Sequence, residues 1–220
     1  MRRQIHRGIR AALGLLLLLC ASGCGFSFSP EELYSLPQLP AEYTELNSCL
    51  NQVIEGGAEY AAPVSGSNIQ PVQLEDLDGD GAQEAVAFFR NSAEEKPLKI
   101  YIFTPRNDTY EQAAVIEGTG TSIYSIAYED LDQDGQKELL VGWRVNTDMQ
   151  ALSVYTLRSG RPDELIQGTS YVRYAVNDLN QDGLWELVVL RADEEGNGIA
   201  DYYCWQEDEF QLRTSARITS

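Results

Sequence analysis

The sequence predicts an all-β fold, about three copies of one four-stranded unit preceded by a single helix. Three observations predict it. The stretches "DLDGDGAQE" (Asp76–Glu84), "DLDQDGQKE" (Asp130–Glu138) and "DLNQDGLWE" (Asp178–Glu186) recur at steps of 54 and 48 residues, a period that marks repeat architectures. Each leads straight into a nearly continuous apolar run, "EAVAFFR", "ELLVGWRV" or "ELVVLRA", as expected of a strand covered on both faces. Further short apolar segments follow, separated by turn residues; in the second copy they are "ALSVYTL" and "DELIQG", after "IYSIAYEDL" has led into the loop. Four strands per copy, stacked against their neighbours, describe the blades of a partial β-propeller.

The elements follow in order. Residues 1–23 read as a secretory signal: Arg2, Arg3, Arg7 and Arg10 form a basic start, and Ala11–Leu19 an apolar run too short to span a bilayer as a helix. The segment "ASGC" at Ala21–Cys24 resembles a bacterial lipobox, which implies cleavage before Cys24, lipidation of that cysteine and an outward-facing membrane anchor. Residues 24–40, rich in Pro and Ser, read as a tether. Over residues 41–57, Tyr43, Leu46, Leu50, Val53 and Ile54 recur at helical spacing, and Gly56-Gly57 ends that amphipathic helix. Residues 58–220 form the repeat domain, with blades at about 69–120, 121–169 and 170–218. The segment "YAAPVSG" ahead of the first loop reads as the last strand of a preceding blade.

Charge and residue usage remove several functional classes. Cleavage of the leader takes four of the 16 basic residues and leaves 12 against 34 acidic, a net charge of −22. That balance excludes phosphate-led nucleic-acid binding. The lone histidine, His6, leaves with the leader, and with it Ser-His-Asp and Cys-His catalysis and histidine-ligated zinc. Cys49 and Cys204 remain, either as a disulfide or as two buried thiols.

Numbered from its first aspartate, each loop places oxygen-bearing side chains at positions 1, 3, 5 and 9 and a glycine at 6. Alternate side chains converging on one point across a sharp turn form a site for a hard cation, and an all-oxygen set suits calcium over zinc. Eleven of the 34 acidic residues fall in these three windows, a concentration that costs energy without a counter-ion. Position 12 is Ala87, Val141 or Val189 within a strand, which excludes an EF-hand.

The chain from about Ile69 resembles the FG-GAP and VCBS propeller repeats, closer to the VCBS branch because Phe-Gly and Gly-Ala-Pro landmarks are missing. In that family the loop D-x-[D/N]-x-D-G-x-x-[D/E] joins the first two strands of a blade and holds one calcium. The resemblance implies up to three structural calcium ions. Their ligands would be Asp76, Asp78, Asp80, the Ala82 carbonyl and Glu84; then Asp130, Asp132, Asp134, the Gln136 carbonyl and Glu138. The third set would be Asp178, Asn180, Asp182, the Leu184 carbonyl and Glu186, one charge weaker.

No catalytic constellation stands out. Trp185, at position 8 of the third loop, is expected either to pack on the next loop or to contact a ligand. Tyr124, Tyr128 and Tyr174 are expected between blades. The leading expectation is a surface-anchored binding or adhesion module for an extracellular protein or glycan. Part of a carbohydrate- or lipid-active exoenzyme, and a purely structural envelope protein, stand as alternatives. Three blades are too few to close a ring. The copies therefore form an open wedge, associate with one another, or are part of a longer propeller.

Overall fold

A computed structural model describes residues 43–107, 109–158, 160–206 and 209–218. The leader, Cys24 and the tether lie outside the described residues. The described part falls within one compact unit, residues 41–220.

Helix α1 (Thr44–Glu55) comes first, with Leu46 and Leu50 on one face and fully buried. It ends where Gly56 donates its N–H to the Gln52 carbonyl at 3.1 Å. The strands then run β1 (Glu59–Tyr60), β2 (Val72–Glu75), β3 (Glu84–Arg90), β4 (Leu98–Arg106) and β5 (Thr109–Gly118). Next come β6 (Ser122–Glu129), β7 (Glu138–Arg144), β8 (Gln150–Arg158) and β9 (Arg161–Tyr171). The last four are β10 (Arg173–Asn177), β11 (Glu186–Ala192), β12 (Gly198–Gln206) and β13 (Glu209–Arg217). They form three antiparallel meanders, β2-β3-β4-β5, β6-β7-β8-β9 and β10-β11-β12-β13. This is an all-β fold of partial-propeller type, and each acidic loop joins the first and second strands of its sheet.

The unbroken apolar runs have a direct cause. On β7, Leu139, Val141 and Trp143 point towards the first sheet and join Val86, Phe88, Ile100, Ile102 and Ile116 in one core. Leu140 points the other way and joins Leu152, Val154, Leu187, Val189 and Phe210 in a second core. A strand with alternating sides both under cover has no solvent side to mark with polar residues. Each fully buried Leu, Ile or Phe contributes about 1.5–3 kcal/mol by leaving water, so these two interfaces are the main source of stability. Among the described residues, no core joins the third sheet to the first.

The inter-sheet tyrosines fall as expected. Tyr128 packs on the first core and donates its hydroxyl to Gln73 Oε1 at 2.6 Å; Tyr124 and Tyr174 pack on the second. One expectation changes. "YAAPVSG" is not a strand of a preceding blade. Only Glu59–Tyr60 pairs, on the edge of β3, and the Val64 and Ser65 N–H groups then donate to the Tyr124 carbonyl at 3.2 and 2.8 Å. The segment ties the first sheet to the second. Cys49 and Cys204 are free, and the Cys49 thiol donates to the Tyr110 carbonyl at 3.3 Å.

Helix α1 lies over the first sheet on the face away from the second sheet. Tyr43 stands 6.5 Å from Tyr110, ring to ring. A cleft of about 610 Å³ runs between Cys49, Gln52 and Val53 of the helix and Tyr101, Phe103 and Tyr110 of the sheet.

Candidate metal centres

The three loops share one pattern of internal hydrogen bonds, and that pattern aims the carboxylates. The position-9 glutamate accepts the backbone N–H of position 2: Leu77 to Glu84 at 3.0 Å, Leu131 to Glu138 at 2.8 Å and Leu179 to Glu186 at 2.7 Å. The position-1 aspartate accepts the N–H of the position-6 glycine at 3.1 Å in every loop, Gly81 to Asp76, Gly135 to Asp130 and Gly183 to Asp178. Position 3 accepts from position 5, and position 5 from position 7. In most of these acidic groups one oxygen is thereby fixed by the backbone and a second is left for another partner; in Asp76 both are engaged, Oδ1 by the Gly79 N–H at 2.9 Å and Oδ2 by the Gly81 N–H.

The oxygens of these groups converge. Asp76, Asp78 and Glu84 each offer an oxygen within 4.8 Å of the others, and so do Asp130, Asp132 and Glu138. Three buried carboxylate oxygens, Glu84 Oε1, Asp130 Oδ1 and Asp178 Oδ1, have no hydrogen-bond partner. Orphaned buried acceptors are costly, and a cation removes the cost. Burial pushes the Glu84 carboxyl above its ordinary value, and Asp78 adds to the effect against the Leu77 N–H. Burial likewise carries Glu138 up to about 7, with Asp132 adding and the Leu131 N–H and Thr156 hydroxyl opposing. Asp132 is also raised, by burial first. A donor set of oxygens alone, short of positive charge, fits a hard divalent cation.

The third loop differs. Its Asn180 amide nitrogen donates to Asp182 Oδ2 and to Glu186 Oε1, both at 2.9 Å. A neutral N–H donor thus draws together the oxygens that a cation would share, so the site has its own partial substitute for the ion.

Two features of the loops escaped the sequence reading. Position 4 is left-handed as well as position 6, with φ of 74° at Gly79, 60° at Gln133 and 62° at Gln181. The position-6 glycines lie at 89°, 92° and 94°. A Cβ at Gly135 would meet nothing within 4 Å, so the cost of a side chain there is backbone strain alone. Gly135→Ala is expected to destabilise by about 1–2 kcal/mol. Gln133→Gly, where relief of strain offsets added freedom of the unfolded chain, should change little. Paired urea titrations check both.

The second feature is that the loops stack. Lys137, at position 8, donates its backbone N–H to the Leu77 carbonyl at 2.8 Å, and its ammonium pairs with Glu75. A Cβ on Gly79 would lie 2.4 Å from the Gly135 carbonyl oxygen, so the first loop sits directly on the second. Position 8 therefore reaches back to the preceding sheet. Trp185 does the same. It is 38% exposed and lies beside the loop before it, not the next one, lining an open cleft of about 680 Å³ with Glu129, Asp130, Gln133, Asp134 and Gly135. No signal in the third loop alone could have shown which neighbour Trp185 meets; the shared position with Lys137 could have.

Residues 76–141 match the family model of the FG-GAP-like repeat. The match covers the first two acidic loops and the strands between them, and the third loop lies beyond it. Among solved structures, the chain is similar to the Bacillus licheniformis rhamnogalacturonan lyase PL11, at 15% identity and a TM-score of 0.42. That alignment covers 73% of this chain and 35% of the lyase chain, so the chain spans about a third of the lyase's length. No curated protein matches the sequence.

Proposed function

We propose that this chain is an exported, non-catalytic binding module, stabilised by calcium and held at a bacterial membrane through lipid on Cys24, that attaches to an extracellular protein or glycan. The FG-GAP-like repeats and the blade-type sheets support a module of propeller type. The basic start, the short apolar run and Cys24 support export and anchoring.

Calcium is the ion that the loops fit best. Its ligands would be the side-chain oxygens of positions 1, 3, 5 and 9, with the carbonyls of Ala82, Gln136 and Leu184 available at position 7. Bound calcium would neutralise the clustered carboxylates and lock each loop to the two strands that it joins. The loops' role is then structural, and it also supports the non-catalytic reading, because every clustered carboxylate is tied to its own loop. The third loop, with Asn180 across its centre, is expected to bind most weakly.

One observation carries the binding reading: the indole of Trp185 stands half-open at the mouth of a broad cleft walled by the second loop. Flat aromatic surface beside polar groups suits a sugar ring or a peptide side chain. Trp185→Ala should reduce binding roughly tenfold or more, the loss typical of an aromatic anchor, while the calcium-loaded melting curve stays in place. A glycan array and a pull-down of extracellular proteins, each run with wild type and variant, test it. Equal capture by both proteins would remove Trp185 from the site, and two blank results would favour the purely structural reading.

A further inference from the structure

The cleft beside Trp185 keeps a negative charge that an ion in each loop does not cancel. Its wall carries three carboxylates, Glu129, Asp130 and Asp134, and no basic side chain. The second loop holds four carboxylates, Asp130, Asp132, Asp134 and Glu138, and the third holds three, Asp178, Asp182 and Glu186. One divalent ion in each would leave four less two and three less two negative charges, to which Glu129 adds another. Lys137, whose ammonium Glu129 also attracts, is committed to Glu75 beside the first loop. Arg158 and Arg161 flank the β8–β9 turn at the same end of the second sheet, but neither lines the cleft.

Glu129 is the uncommitted member of this wall. It is exposed and lies outside the repeated ligand positions, and among the described residues no hydrogen bond or ion pair engages its carboxylate. The half-open indole of Trp185 shares the cleft with it. An indole attracts a cation held over its face within about 6 Å, more strongly than the other aromatic rings do. A guanidinium stacks flat on such a ring and still donates paired hydrogen bonds to a carboxylate. A neutral sugar gains nothing from the surrounding charge, and an acidic sugar is repelled by it. Position 8 reaches back to the preceding loop, so a further repeat at either end would meet the outer side of the first or third loop and leave this cleft open.

We propose that the Trp185 cleft docks a basic segment of a partner protein, seating an arginine or lysine on the indole with Glu129 as its counter-charge. Resting on the reading of Trp185 as the binding residue, this narrows its ligand from a protein or glycan to a cationic protein segment. Charge complementarity selects the occupant: an aromatic face ringed by carboxylates, with no cation of its own, is completed by a cation. Several carboxylates around one indole favour successive basic residues over a single charge, and an extended protein segment supplies them. The net charge of −18 would draw such a partner towards the chain as a whole, while the indole and Glu129 fix where it docks. Exposed charge pairs are screened by salt, so the attachment is salt-sensitive in a way that stacking of a neutral sugar is not.

Fluorescence anisotropy of three labelled peptides tests this on the full chain, in mild detergent with about 5 mM calcium. One peptide alternates arginine with serine, one glutamate with serine, and one is serine and glycine alone. Only the arginine peptide should bind, and its affinity should fall at least about tenfold between about 20 and 300 mM sodium chloride. Trp185→Ala and Glu129→Lys should each weaken it about tenfold. Glu95→Lys makes the same change of charge in the exposed β3–β4 hairpin at the opposite end of the first sheet, and should leave the affinity within about twofold. Equal losses from the two lysine variants would reduce the binding to overall charge and overturn the proposal. Spermidine that displaces the peptide at equal concentration would assign the cleft to free amines and overturn the protein partner. Should the arginine peptide fail while a neutral glycan is captured through Trp185, the cationic partner falls and the binding reading stands. An arginine peptide held equally by wild type and Trp185→Ala removes both. If Trp185→Ala unfolds, the contrast between Glu129→Lys and Glu95→Lys decides alone.

Discussion

With calcium in the acidic loops as proposed, its removal is expected to lower the melting temperature of this protein by about 10 °C. The magnitude follows from mass action. Extracellular calcium modules bind at about 0.1–1 mM, and free calcium at ten times the dissociation constant stabilises by roughly 1.4 kcal/mol per site. Two full acidic clusters give about 3 kcal/mol, and the weaker third loop brings the total to at most about 4. For a domain of this size each kcal/mol moves the midpoint by about 2–4 °C, so the expected range is about 6–16 °C. Differential scanning calorimetry before and after passage over a chelating resin reads it directly. A superimposable pair of curves would mean that no ion contributes to the folded state. The orphaned oxygens of Glu84, Asp130 and Asp178 would then have to be held at their full cost.

Acid is expected to stabilise the calcium-free protein and to destabilise a calcium-bound one. In the ion-free loops, burial raises Glu138 from an ordinary 4.5 to about 7 and moves Glu84 and Asp132 in the same direction. A carboxyl raised on folding favours the protonated native state. Its contribution is therefore complete below about pH 4.5 and is lost as pH rises through about 7. Glu138 alone accounts for up to roughly 3 kcal/mol across that window. Bound calcium would reverse the sign, because it would hold the ionised carboxylates and compete with protons. Glu117, held below its ordinary range chiefly by the Lys99 hydrogen bond, acts in the opposite sense, but at lower pH. Melting curves at pH 5 and pH 8, on resin-treated protein and in about 5 mM calcium, should cross: the ion-free form more stable at pH 5, the loaded form at pH 8. A calcium-free protein that is firmer at pH 8 would contradict the burial of Glu138 as the dominant effect.

Both predictions rest on features of very different legibility. The spacing of aspartates, the glycine at position 6 and the strand that follows are local, so the loops could be read in one dimension. The four-stranded copies were equally plain, because a strand buried on both sides writes its burial into consecutive residues, as Glu138–Trp143 does. What could not be read depends on residues far apart in sequence. That Gly79 touches Gly135, that Lys137 reaches Leu77 and Glu75, and that α1 covers the first sheet are all facts of stacking. The left-handed conformation at Gln133 and Gln181 was hidden because glutamine does not advertise it, although Gly79 at the same position in the first loop offered a hint. Asn180 was visible as a lost charge, but not as a bridge between Asp182 and Glu186. The "YAAPVSG" segment misled because Val and Tyr in an alternating run imitate a strand even where the chain serves as a strap.

These stacked contacts also give the loops a collective role. An ion in the second loop would fix Asp130 and Glu138, hence the start of β7, and through Gly135 and Lys137 it would brace the first loop as well. The metal centres would then clamp the sheets at the same end of the molecule where Trp185 is displayed, which links the stability of the stack to the geometry of the candidate binding cleft.

The most direct test of this account is equilibrium dialysis against calcium-45. Wild type should bind two ions in the 0.1–1 mM range with a third more weakly, and Asp130→Ala with Asp132→Ala should remove one. Binding of less than one ion per chain at about 10 mM calcium, or a stoichiometry unchanged by the double substitution, would contradict it.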